Sequence, residues 1–151
     1  MSPSEWGPKV WYLLHRLAFF SNRTDIPGAW KNVLQNLSMT MPCVLCRTHM
    51  QTYCKQVPLV FPNGASGAII RDTIVNWLFH FHNSVNSRKG VDPFDYEFLR
   101  HFYGLGIHAD AVADGRRLLK EIEELWIDIP HVLFGNSVRH LIGLIGGGEL
   151  G

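Results

Sequence analysis

Residues 68–89 read Ala-Ile-Ile-Arg-Asp-Thr-Ile-Val-Asn-Trp-Leu-Phe-His-Phe-His-Asn-Ser-Val-Asn-Ser-Arg-Lys. Ile70, Ile74, Trp77, Leu78, Phe81 and Val85 recur at steps of three and four, which places them on one face of a helix. Gly90 follows as a stop. The stretch predicts one long amphipathic helix, and the same periodicity recurs along the chain.

Upstream, Ser2-Pro3-Ser4-Glu5 has the form of a capping box, with Ser at the cap, Pro at the first helical position and Glu three residues on. Trp6, Val10, Leu13, Leu14, Leu17 and Ala18 continue it at helical spacing to about Asn22. After a turn at Asp25-Ile26-Pro27-Gly28, the residues Trp30, Val33, Leu34, Leu37 and Met41 mark a second helix. Pro42 ends that helix and is placed to open a third, which carries Cys43, Cys46 and Cys54. Residues 56–67, with Pro58, Pro62, Asn63, Gly64 and Gly67, read as a loop. Beyond Gly104, Leu105-Gly106-Ile107 forms a joint to a helix from about Asp110 to Ile127. Pro130 breaks it, and a last helix covers Val132 to Ile145 before a glycine-rich tail. The expected fold is all-α: a helical bundle with an additional C-terminal helical pair.

Length and composition narrow the function classes. A chain of 151 residues suits one domain with an appendage, and 46% apolar against 18% charged residues is a globular balance. The formal charge of +1 leaves no strong electrostatic footprint for nucleic acid, and no net field to steer an acidic substrate. The N-terminus lacks the basic and apolar regions of a signal peptide, and no run approaches the roughly 20 apolar residues of a membrane span. A soluble protein made on the cytosolic side, without membrane insertion, is the expectation. Three cysteines, an odd number, weigh against a secreted disulfide framework. Five Trp, nine Phe, four Tyr and eight His are many flat side chains for a small domain, and a bound planar cofactor is one reason for them.

Three patterns carry chemistry. In Pro42-Cys43-Val44-Leu45-Cys46 the two thiols, three residues apart on the first turn of a helix, lie on one face within disulfide range, and a helix N-terminus favours the thiolate. Structural zinc sites use the same spacing, so a zinc-stabilised interaction module built on Cys43, Cys46, His49 and one of His80 or His82 is the alternative. A noncatalytic scaffold is a third reading. In Trp77 to Asn86, His80 shares a side with Asn83, while His82 and Asn86 line an adjacent strip. Imidazoles and amides beside Trp77 and Phe81 suit an apolar slot with hydrogen-bonding edges, as a flavin or nucleotide needs. In the first helix Trp11 and His15 are four apart and share a face, so their rings could stand side by side against a planar ligand.

In order and spacing, WGPxxWxxLH, PCxxCxxH and WLxHxHNxVNxxxG resemble the Erv/ALR family of FAD-linked sulfhydryl oxidases over roughly residues 4–103. The resemblance implies a four-helix bundle plus a short fifth helix binding FAD. It also implies an enzyme, a thiol:oxygen oxidoreductase that passes electrons from a dithiol or CxxC-containing protein through Cys43–Cys46 to FAD and then to O2, giving a disulfide and H2O2. Carried over residue by residue, Cys43 and Cys46 are the catalytic pair. Gly7, Trp11 and His15 become flavin contacts of the first helix, and His80, His82, Asn83, Asn86 and Arg88 those of the fourth. Arg88 stands where Lys is common and keeps a positive charge for the pyrophosphate.

The chain also departs from the family pattern. It has no second cysteine pair ahead of Cys43, and Phe79 stands where a structural disulfide often ends. Cys54 therefore lacks a partner. At eight residues beyond Cys46 it lies about 12 Å along the helix, beyond disulfide reach, so a free thiol is expected. These departures look most like the compact oxidases of large cytoplasmic DNA viruses, which implies the host cytoplasm at assembly sites, or the virion, as the location. Family members pair through the first two helices, so a homodimer is expected. Residues 1–104 are the expected oxidase domain. Residues 105–151, outside the resemblance, are expected to dock on it through their apolar side chains and to extend the dimer interface or replace it.

Overall fold

The computed structural model describes residues 1–151 and is all-α. Its helices are α1 (Pro3–Ala18), α2 (Pro27–Thr40), α3 (Val44–Gln56), α4 (Gly67–Arg88), α5 (Tyr96–Tyr103), α6 (His108–Leu125) and α7 (Val132–Ile145). The long helix read from residues 68–89 is α4, and its N-cap is Ser66, whose hydroxyl accepts the Ile69 N–H at 3.3 Å. The short α5 begins at Asp95, whose carboxylate accepts the Glu97 N–H at 3.3 Å.

Two helix ends differ from the sequence reading. Ser2 is the N-cap of α1, but its hydroxyl bonds Ser4 Oγ at 2.7 Å, so no side-chain capping box forms. α1 also stops at Ala18 rather than near Asn22. The chain tightens there because buried Ser21 donates back to the Leu17 carbonyl at 2.8 Å and accepts from Trp30 Nε1 at 2.7 Å. One hydroxyl thus ends α1 and fixes the first residues of α2.

The C-terminal pair packs on the first two helices. α6 lies along α1, α7 lies along α2, and the two lie against each other. Leu118, Leu119, Ile122, Phe134, Val138, Leu141, Ile142 and Ile145 are all buried and join the same apolar cluster as Leu13, Leu17, Trp30, Val33 and Leu37. Each such side chain contributes about 1.5–3 kcal/mol on burial. Trp6 of α1 meets Trp126 edge-to-face at 5.4 Å, and α6 approaches α1 closely at Gly115, where a Cβ would stand 3.0 Å from a Leu17 methyl.

The glycine-rich end is not a loose tail. Leu150 N–H donates to Asn22 O at 3.2 Å, Thr24 N–H to Leu150 O at 3.0 Å, and Gly67 N–H to Gly151 O at 3.3 Å. Gly67 must be glycine for this, because a Cβ would fall 2.5 Å from the Asn22 carbonyl oxygen. No helix is long and apolar enough to cross a membrane.

Arg16 fastens this arrangement. Nearly buried, it bonds Asp114 of α6 at 3.0 Å and the Tyr103 carbonyl at 2.7 Å, and it also reaches the Leu105 carbonyl. Its guanidinium lies 5.0 Å over the Phe20 ring. Sequence spacing had given no reason to single it out. Replacing it leaves two carbonyls unmet and Asp114 with only its longer Arg117 contact, so Arg16→Ala should cost about 3 kcal/mol in urea unfolding. A loss under about 0.5 kcal/mol, the range of ordinary surface substitutions, would show that Arg16 is not what holds α6 to α1.

Candidate active site

The site consists of a disulfide at the start of α3 and a ring cluster between α1, α4 and the segment leading to α5. Cys43 and Cys46 are joined, with α-carbons 5.2 Å apart. Their placement corrects the sequence reading in one respect. Pro42 does not open the helix; the N-cap is Cys43 in an extended conformation, and its sulfur accepts the Cys46 N–H at 3.1 Å. The unpaired amides of a helix start therefore point at one sulfur of the pair.

Cys46 shares an α3 stripe with His49, Met50 and Tyr53 that faces α4. His49 Nε2 meets Ser84 Oγ at 3.0 Å, and Tyr53 packs on Trp77 and Phe81 at 5.4 and 5.1 Å. Burial, with the nearby Arg88 charge, lowers the His49 pKa. Arg88, at the end of α4, donates to the Leu45 carbonyl between the two cysteines at 3.2 Å.

The ring cluster brings Trp11, His15 and His82 together. Trp11 and His82 stack at 3.8 Å with their planes 2° apart, and His15 Nε2 bonds His82 Nδ1 at 2.8 Å. Phe94 and Tyr103 close the cluster, at 4.5 Å from His82 and 5.0 Å from His15 respectively. Burial, followed by the mutual imidazole charge, lowers the His15 pKa to about 3. Burial, followed by Lys89, lowers that of His82 to about 4. Both rings are neutral at pH 7, so one donates the hydrogen bond and the other accepts it.

The other expected contacts divide. Asn83 is engaged by the chain itself: its Oδ1 accepts the Phe94 N–H at 3.1 Å and its Nδ2 donates to the Phe94 carbonyl at 3.4 Å. It acts here as a clasp that holds Phe94 over the imidazoles. Asn86 Nδ2 lies 3.4 Å from Asn83 Oδ1, and the Asn86 carbonyl accepts the Val91 N–H at 2.8 Å. The space beside the Gly7 α-carbon is open. His80 is exposed and stands apart from the cluster, in an open groove of about 490 Å³ with Tyr53, Val57, Leu59 and Trp77. Helical geometry explains the split, since His80 and His82 are two residues apart and point about 200° apart around α4.

Phe94, Tyr103 and Ser84 were not singled out by the sequence. Phe94 and Tyr103 lie outside the periodic stretches, and only the path of residues 91–95 brings Phe94 back over α4. The zinc arrangement does not form: Cys43 and Cys46 are bonded to each other, His49 is turned to Ser84, and no three His, Cys, Asp or Glu side chains converge. Cys54 is a free, half-buried thiol whose pKa burial pushes up.

The chain thus combines a disulfide at a helix start with a buried cluster of stacked rings between α1 and α4. Residues 8–103 match the Erv1/Alr family. This chain belongs to that family. It is 36% identical over 104 residues to an FAD-linked sulfhydryl oxidase of African swine fever virus from a tick isolate of Malawi, covering 65% of this chain and 79% of the viral protein. The counterpart from a warthog isolate of Namibia gives the same identity over the same length. A protein of Invertebrate iridescent virus 6, provisionally described as an FAD-linked sulfhydryl oxidase, is 29% identical over 93 residues, 60% of this chain and 84% of that one. No solved structure matches.

The residues present fit a flavin nucleotide. His15 Nδ1 is buried with no hydrogen-bond partner, which leaves one polar edge inside the ring cluster for a ligand to meet. Trp11, His82 and Phe94 supply flat faces around it, and Arg88 supplies a positive charge at the α4 end.

The neutral imidazoles set a pH dependence for the protein without bound cofactor. Their folded pKa values lie below the unfolded value of about 6.5, so the unfolded state binds more protons between roughly pH 4 and 6.5. Stability should be flat from pH 8 to 7 and fall as pH drops below about 6.5, by up to about 1.4 kcal/mol per unit for each ring. Below the folded values the loss should level off. Urea midpoints from pH 8 to 4 check this, and a profile unchanged in His15→Gln/His82→Gln would remove the assignment.

Proposed function

We propose that this chain is an FAD-linked sulfhydryl oxidase that makes disulfides in partner proteins, with Cys43 and Cys46 as its reacting pair. The observation that carries the reading is the Cys43–Cys46 bond at the N-terminus of α3, the helix whose His49 and Tyr53 touch α4. Gly7, Trp11, His15, His82, Asn86 and Arg88 are assigned to holding FAD. Asn83 is assigned to keeping Phe94 in place, and His80 to the outer rim.

Bound FAD supplies the two-electron acceptor that returns the pair to its disulfide, with O2 as the final acceptor and H2O2 as product. The chain's own part is thiol–disulfide exchange. A substrate thiolate attacks Cys43 Sγ; the Cys43–Cys46 bond opens and Cys46 leaves with the electron pair as thiolate. A second substrate thiolate then attacks its neighbour's sulfur in the mixed disulfide and expels Cys43 as thiolate. The substrate leaves as a disulfide, having lost two electrons and two protons. The Cys46 N–H, already aimed at Cys43 Sγ, stabilises that departing charge. Cys46 is the inner sulfur because it lies on the α4-facing stripe. The buried imidazoles, neutral at pH 7, bind and orient; the exchange needs no base from them.

The homodimer expected from the resemblance belongs to this proposal with its interface moved. α6 and α7 already cover α1 and α2 within one chain, so a second copy meets the outer surface, where Ile127, Val132 and Leu133 are exposed. The viral relatives support work on virion proteins in the host cytoplasm or in the virion.

Purified protein should be yellow and should consume oxygen with dithiothreitol. Cys43→Ser and Cys46→Ser should each lower that turnover at least about a hundredfold, since neither can form the exchange disulfide, while retaining the flavin spectrum. Cys54→Ala should stay within about twofold of wild type, its thiol being outside the path. A colourless protein, or either serine variant at wild-type rate, would overturn the proposal.

A further inference from the structure

The surface around the disulfide has a chemical character of its own. Met39, on the last turn of α2, and Val44 and Leu45, between the cysteines, are 69%, 70% and 65% exposed. Large apolar side chains held in water at the mouth of a reactive bond are a docking feature rather than core. Two guanidiniums bracket them. Arg47 donates to the Met41 carbonyl at 2.5 Å, just before the disulfide turn, and Arg88 donates to the Leu45 carbonyl within it. Each spends one N–H on that carbonyl and keeps others for another partner.

The charges fixed beside this mouth, Arg47 and Arg88, are both positive. From Ile26 to Arg71 the sequence holds Lys31, Arg47, Lys55 and Arg71 and no Asp or Glu. Arg88 and Lys89 add to it from the end of α4. More than half of the carboxylates lie beyond Gly104 in α6, α7 and their connections, where Glu121, Glu123 and Asp114 are paired with Lys9, Arg139 and Arg16. The net charge of +1 therefore hides a division along the chain: a stretch from Ile26 to Arg71 that holds no carboxylate and an acid-rich extension after Gly104. Fields local to a site steer partners whatever the total.

We infer that the oxidase takes its thiols from an acidic, extended segment of a partner protein, with an apolar side chain next to the reacting cysteine. The inference rests on the proposed exchange at Cys43. The apolar neighbour lies on Val44 and Leu45, the carboxylates meet the remaining N–H groups of Arg47, and the substrate sulfur is brought to Cys43. A basic segment meets only like charge on this face. The segment is extended because the apolar and basic groups flank a single exposed turn, which a packed helix or sheet edge would not reach on both sides.

Two measurements separate this inference from the oxidase reading. The first needs no turnover: fluorescence anisotropy with labelled short peptides whose cysteines are replaced by serine, one flanked by Glu with a Leu beside the serine, one with Lys in place of Glu, one with Gly in place of Leu. The Glu–Leu peptide should bind at least about tenfold more tightly than the Lys peptide at 20 mM salt, and the margin should shrink towards unity by 500 mM. The Gly peptide should lose several-fold affinity at both salts. The second uses the FAD-loaded protein with the thiol versions of the Glu and Lys peptides, and reads the ratio of their kcat/KM values. That ratio should exceed about ten in wild type at low salt and fall to unity or invert in Arg47→Glu, a comparison in which any general loss of activity cancels. Equal binding and equal rates for Glu and Lys peptides, in a protein that oxidises dithiothreitol, would overturn the docking inference alone. Failure with dithiothreitol as well would overturn the oxidase reading instead, with the serine peptides still reporting on the surface.

Discussion

The hydrogen bond between His15 Nε2 and His82 Nδ1 joins α1 to α4 in the interior of the site, between two rings that burial keeps neutral at pH 7. A protonated imidazole there would be a buried charge with no carboxylate facing it. Trp11, stacked on His82 and near-parallel to His15, screens the pair from water on one side, and Phe94 and Tyr103 screen it on the other. The same groups that exclude water form the flat walls a planar cofactor requires. Stability of the apoprotein and affinity for a ring system therefore rest on one set of contacts.

That pair must be held from several directions, and the chain does so without a covalent link. Phe79, the residue at which the chain departs from the family's cysteine pattern, meets Phe94 and Tyr96 edge-to-face at 5.4 and 5.3 Å. Each such contact contributes about 0.5–1.5 kcal/mol beyond its buried area. Together with the two Asn83 bonds to Phe94, they fasten the segment before α5 to α4. A fastening of this kind does not depend on an oxidising environment, and the chain's one disulfide is Cys43–Cys46.

α1 has two working sides, and the C-terminal helices explain how both stay rigid. One side gives Trp11 and His15 to the ring cluster. The other gives Trp6 and Leu17 to α6, with Arg16 tying the joint at Tyr103 and Leu105 to the same helix. Apolar surface on α1 and α2 that a minimal bundle would leave to a second subunit is covered within the chain. The terminal strand-like contact of Leu150 with Arg23 and the bond from Gly67 to Gly151 then lock the extension to the start of α4.

The helices were legible in the sequence because each depends on local periodicity and punctuation: the stripe from Ile70 to Val85, Pro27 opening α2, Gly90 after α4. The Cys43–Cys46 bond was legible because three-residue spacing is a short-range constraint that a helix start satisfies by itself. Phe94, Tyr103 and Arg16 were not, because each matters only through residues far along the chain, and no spacing rule connects them. His80 and Asn83 show the limit most clearly. The pattern marks both as site residues, yet helix rotation turns His80 outward to another groove, and the path of residues 91–95 gives Asn83 a backbone partner. Sequence by itself determined which residues could do the chemistry, through residue type and local period. Only the tertiary structure decided which of them face one another, since that follows from how α1, α4 and the returning segment pack, and packing is settled by the whole core at once.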